Sequence, residues 1–155
     1  MSKIEYSEAP EVESIAEDLI SKYHQHIIDY DVRIRYVFIN KTPTSKGKEI
    51  WGTCRKISGL NAYLESNEQI NEPFFVITIS KNIWDILPKD KKIALVDHEL
   101  CHASASIKKD DSISLEIQPH DLEEFSCIVR RHGLWREDIQ EFVNVANQTK
   151  NKGEN

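Results

Sequence analysis

The chain has 155 residues, 30% of them charged and 39% hydrophobic, with a formal net charge of −6. That is enough chain for one domain with its own core, and an acidic balance argues against tight, sequence-independent nucleic-acid binding, which needs a basic surface. No apolar run reaches membrane-spanning length, and the polar N-terminus "MSKIEYSEAPEVE" has no signal-peptide pattern, so a cytoplasmic protein is expected.

Residues 10–26 are predicted to be an amphipathic helix. Val12, Ile15, Ala16, Leu19, Ile20 and Tyr23 share one face, Pro10 fits the first turn, and His24 and His26 are read as polar residues of the last turn. "VRIRYVFI" (32–39) alternates as a strand with one wetter face. "NKTPTSKGKE" is a polar turn region around Pro43 and Gly47. "IWGTCRKISGLNAYLE" reads as one or two further strands, with Gly52 and Gly59 marking bulges or a hairpin. "ESNEQINE" is a second polar loop, and "PFFVITIS" (73–80) is the strongest strand signal.

After Pro88 the pattern turns helical in "KDKKIALVDHELCHASA", with Ile93, Val96, Leu100 and Ala103 along one stripe. A "KKDD" loop precedes "SISLEI", read as a short strand. "HDLEEFSCIVRRH" is predicted to be a helix with Leu122, Phe125, Ile128 and Val129 inward and Gly133 as its stop. His132 is read as a polar cap in its last turn. A last helix, "REDIQEFVNVANQ", would face Ile139, Phe142, Val143 and Ala146 inward, and "TKNKGEN" is expected to fray. The order helix, strands, helices indicates an α+β fold. Residues 1–150 are expected to form one domain and 151–155 a disordered tail.

Three scattered cysteines, Cys54, Cys101 and Cys127, form no CxxC. Disulfides are not expected, a Cys-based zinc ribbon is excluded, and buried reduced thiols are the default.

The chemistry concentrates in "DHELCHA" (97–103). A helix turns once per 3.6 residues, so His98 and His102 point the same way and can converge on one Zn²⁺ at about 2.0–2.1 Å. Glu99, beside the first ligand, can reach the open coordination position and act as general base without binding the ion. Asp97 is either a support to the site or a solvated surface carboxylate. A catalytic zinc needs a third protein ligand. His120 leads, and Glu123, Glu124 and Asp121 are its rivals. If His120 ligates, Glu123 or Glu124 one helical turn on could orient it. Arg130, Arg131, Arg55 and Tyr36 are all candidates for an oxyanion stabiliser. "FFVITIS" suits the strand along which a peptide would add.

"ALVDHELCHA" and "HDLEEFSCIVRRHGLW" resemble the putative phage metallopeptidase family and, more distantly, the SprT-like and Spartan zinc proteases. "GKEIWGTCRKIS" and "FFVITISKNIW" are also similar to that family's strand region, so the likeness spans roughly residues 30–136. The resemblance implies a zincin-like fold: a small, mostly antiparallel sheet packed against an active-site helix, with further helices N- and C-terminal and ligands from two helices. It implies Zn²⁺ on His98, His102 and His120, Glu99 as general base, a protein or peptide substrate, and a host-cytoplasm location if the chain is phage-encoded. The Cys-rich DNA-contacting ribbon of many SprT-like proteins has no counterpart here. The resulting expectation is a zinc-dependent endopeptidase. The alternatives are a zinc hydrolase acting on a non-peptide bond and a non-proteolytic metal-binding interaction protein. The presence of Glu99 argues against the last.

Overall fold

The structure is a computed structural model that describes residues 3–66 and 72–153. It divides into two compact units, Met1–Gln118 and Pro119–Asn155.

The first unit is a mixed α+β fold. Helix α1 (Pro10–Tyr23) turns Val12, Ala16 and Leu19 inward, as their spacing predicts. It stops earlier than expected: His24 leaves helical geometry and a short helix α2 (Gln25–Asp29) follows, leaving Tyr23 70% exposed. Four strands make the main sheet: β1 (Tyr6–Glu8), β2 (Ile34–Ile39), β5 (Gly52–Ile57) and β6 (Phe74–Ser80), in the order β1-β2-β6-β5. Two pairings are antiparallel, and β2 runs parallel to β6. Between β2 and β5, a hairpin of β3 (Thr44–Ser45) and β4 (Lys48–Glu49) turns through Lys46 and Gly47, both at positive φ. That is the primed turn that matches strand twist.

"LNAYLES" is a helix, α3 (Leu60–Ser66), and not the second strand expected there. Leu, Ala and Glu favour helix over strand, and Gly59 at φ +59° makes the turn into it. Most of the expected polar loop "ESNEQINE" lies outside the described residues.

After β6 come α4 (Lys81–Ile86) and α5 (Lys89–His102). The polypeptide then forms a hairpin of β7 (Ala103–Ile107) and β8 (Ile113–Ile117), so "ASA" is strand where the sequence suggested the end of a helix. One face of the sheet, with Tyr36, Phe38, Ile77 and Ile79, packs against α1, Trp84 of α4, and Val96 and Leu100 of α5. Side chains of this size contribute roughly 1.5–3 kcal/mol each when fully buried. A smaller cluster of Phe75, Ala103 and Leu115 ties the β7–β8 hairpin to the sheet.

The second unit has two helices among its described residues, α6 (Ser126–His132) and α7 (Glu137–Gly153). α6 begins well after His120, contrary to expectation. Phe125 is extended (φ −84°, ψ 135°), and the Glu124 carboxylate accepts its backbone N–H at 2.8 Å. Such local bonds compete with helix initiation. Gly133 ends α6 at φ +67°, as predicted. In α7 Ile139 is buried, but Phe142 and Ala146 are exposed where an inward stripe was expected. The helix also continues past Gln148. Cysteine burial differs from the default too: Cys54 is half-buried, whereas Cys101 and Cys127 are exposed.

Candidate metal centre

Helix α5 carries the motif. Pro88 caps its start in extended geometry and Asp90 sits in its first turn, where a carboxylate suits the dipole. Val96 and Leu100 anchor it to the core with no exposure, fixing its rotation about its own axis. That rotation turns His98 toward solvent, half-buries His102, and drives Glu99 under the sheet at 4% exposure. The two imidazoles meet edge to face with centroids 5.1 Å apart, and a ligand nitrogen of each lies within 4.8 Å of the other's. Glu99 Oε1 is 3.9 Å from His98 Nε2.

Glu99 is the unusual group. Burial pushes its carboxyl from 4.5 up to about 7, opposed by the nearby His102. Its Oε2 is buried with no hydrogen-bond partner among the described residues. A buried polar atom costs roughly 1–3 kcal/mol when left unpaired, so packing stability alone does not account for a carboxylate here. Room for this carboxylate comes from Gly52 at the start of β5, where an added Cβ would stand 3.3 Å from Glu99 Cγ.

His102 is held from behind. Its Nδ1 donates to the Gln118 carbonyl at 2.6 Å, and the Gln118 N–H returns a bond to the His102 carbonyl at 2.8 Å. With Nδ1 carrying the proton, Nε2 is the basic nitrogen, and a backbone bond of this kind is what fixes the tautomer of a metal-binding histidine. The donor set of two imidazoles beside a buried, unsatisfied carboxylate suits a divalent transition metal.

A family model described as putative phage metallopeptidase matches residues 4–147. The chain belongs to that family. No curated protein and no solved structure matches it. As a phage metallopeptidase family member it is assigned to a peptidase class, which implies a metal and protein substrates. Among the described residues no helix is long and apolar enough to cross a membrane.

Beside the motif of this family member lies a cleft of about 360 Å³ lined by Trp51, Gly52, Lys91, Ala94, Leu95, His98 and Glu99. The strand along it is β5, the edge of the sheet, which packs on α5. "FFVITIS" was the expected edge, but β6 lies between β2 and β5 with both sides paired. Its continuous apolar run reflects that central position. Two oxyanion candidates fall away from the cleft. Tyr36 is in the core, and Arg55 lines a groove with Tyr6, Val37 and Thr78. Arg130 and Arg131 lie in the last turn of α6, in the second unit.

His120, Asp121, Glu123 and Glu124 belong to the second unit, in the non-helical stretch ahead of α6. His120 is therefore not on a helix, and the idea that Glu123 or Glu124 supports it one turn on loses its basis. The Asp97 Oδ1 accepts a hydrogen bond from His24 Nε2 at 2.6 Å. His24 is 7% exposed, and His26 donates to the Ala103 carbonyl at 2.8 Å. Sequence position alone makes both histidines ordinary last-turn residues, whereas they bond to Asp97 and to the Ala103 carbonyl. The pairing spans 73 positions, and no local spacing signals it.

Proposed function

We propose that the chain is a zincin-like zinc endopeptidase, with Glu99 as general base and His98, His102 and His120 as zinc ligands. The observation that carries this reading is the buried, unpartnered Glu99 oxygen beside two imidazoles on the same helix. A zinc ion held there would polarise a scissile carbonyl and acidify a bound water. Glu99 would be the residue that takes a proton from water and hands it to the departing amine, and its burial between the sheet and the motif helix holds it in place for that role. The Gln118 carbonyl holds the His102 Nδ1 proton and so makes Nε2 the basic nitrogen.

For His120 the support is chain reach. Gln118 is fixed against His102, and two further residues span at most about 7 Å. The edge position of β5 supports a peptide lying along Gly52–Ile57 by backbone hydrogen bonds, with its side chains entering the cleft beside Trp51.

The test is zinc analysis and casein cleavage by wild type and Glu99→Gln. Equal zinc content in both proteins, falling by about one equivalent in His98→Ala/His102→Ala, with cleavage in wild type alone, is the expected result. Cleavage that survives in Glu99→Gln overturns the base assignment. Full zinc occupancy in His120→Ala overturns the third ligand, and zinc loss in Glu123→Ala or Glu124→Ala would then identify its replacement.

A further inference from the structure

Helix α5 carries two i,i+4 pairs of ligand residues, and the motif uses only one. Asp97 and Cys101 form the other, about 100° around the helix from His98 and His102. Facing them is His24, from the break between α1 and α2. One ligand atom from each of His24, Asp97 and Cys101 lies within 4.8 Å of the others.

We propose that His24, Asp97 and Cys101 bind a second divalent transition metal, with solvent completing a four-coordinate shell. The donor chemistry selects the ion. One thiolate, one imidazole and one carboxylate favour zinc and its neighbours over magnesium or calcium, which prefer all-oxygen sites. Each donor is built for the task in a different way. His24 is buried at 7% exposure and cannot swing into solvent. Its neighbour His26 pins the same chain segment to the Ala103 carbonyl, just past the end of α5. Asp97 and Cys101 retain solvent access, so an ion can enter.

The His24 Nε2–Asp97 Oδ1 distance of 2.6 Å is that of a hydrogen bond. A tetrahedral ion about 2.1 Å from each would hold them roughly 3.3–3.4 Å apart. The partly exposed Asp97 side chain supplies that movement. On binding, the His24 ring proton transfers to Nδ1, freeing Nε2 as donor, and the Cys101 thiol loses its proton to solvent.

Cobalt(II) tests this on the full chain, because only a thiolate-ligated site gives an intense thiolate-to-cobalt charge-transfer band in the near ultraviolet. The expected result is such a band at one equivalent of thiolate-bound cobalt. It should vanish in Cys101→Ser and persist in Cys54→Ser and Cys127→Ser. His24→Gln and Asp97→Asn should each weaken the affinity read from that band by tenfold or more, with circular dichroism unchanged. The band should also persist in His98→Ala/His102→Ala, which separates this site from the proposed peptidase centre. Absence of the band in wild type, its survival in Cys101→Ser, or its loss in Cys54→Ser overturns the proposal.

Discussion

Gly52 and Glu99 are in close contact where β5 meets α5. A Cβ on Gly52 would stand 3.3 Å from Glu99 Cγ, 3.4 Å from its Cδ and 2.9 Å from Ile79 Cδ1. The glycine is there to let the carboxylate approach the sheet edge, and its backbone φ is ordinary. Gly52→Ala must push either Ile79, which is fully buried, or Glu99 itself. The expected outcome is a destabilisation of about 1–3 kcal/mol by overpacking and at least a tenfold fall in kcat/KM as the base is displaced. Urea unfolding and peptide-cleavage kinetics check this, and unchanged kcat/KM would remove Gly52 from the site.

Glu99 makes the stability of metal-free protein depend on pH. Its folded value of about 7 exceeds the unfolded 4.5, so the folded state binds more protons between those values. Stability is then highest below about pH 4.5 for this group and falls as pH rises through about 7, by an amount on the order of 3 kcal/mol. In Glu99→Gln that decline disappears, so with chelator present the variant should be the more stable protein at about pH 8 and similar to wild type at about pH 5. Parallel unfolding free energies for the two proteins across that range would show that no buried charge is being removed.

Thiol reactivity should separate the cysteines. Burial, with the Glu99 charge adding to it, pushes the Cys54 thiol up to about 12. The reactive thiolate is therefore scarce at neutral pH, whereas Cys101 and Cys127 are exposed. Titration of folded, metal-free protein with a disulfide reagent should label Cys101 and Cys127 promptly and Cys54 only after denaturation. Mapping the labelled peptides by mass spectrometry checks the order, and prompt labelling of Cys54 contradicts it.

His24 and Asp97 should be energetically coupled even without metal. In chelator, His24→Ala and Asp97→Ala each remove one partner of a part-buried bond. The double variant should lose less than the sum of the singles, with a coupling of about 0.5–3 kcal/mol. Additive losses in a double-mutant cycle would mean that the two side chains do not depend on each other.

Legibility followed the range of the interactions. The helix carrying His98, Glu99 and His102 was readable because its period and its Val96–Leu100 stripe are local. The α6 boundary was not. The periodicity of Leu122, Phe125 and Val129 is helical, yet the Glu124 carboxylate holds the Phe125 N–H and the helix starts only at Ser126. "LNAYLES" was misread as strand because its neighbours are strand-forming, although its own residues prefer helix.

By itself the sequence determined the α+β class and the helix that carries His98, Glu99 and His102, both readable from spacings of a few residues. Only the tertiary structure decided that β5 and not β6 is the edge strand, that Gly52 yields its space to Glu99, and that His24 meets Asp97 across 73 positions. Sheet order, close approach and long-range pairing depend on how whole elements pack together. That packing is governed by the summed burial of surfaces distant in the chain, which no local pattern encodes.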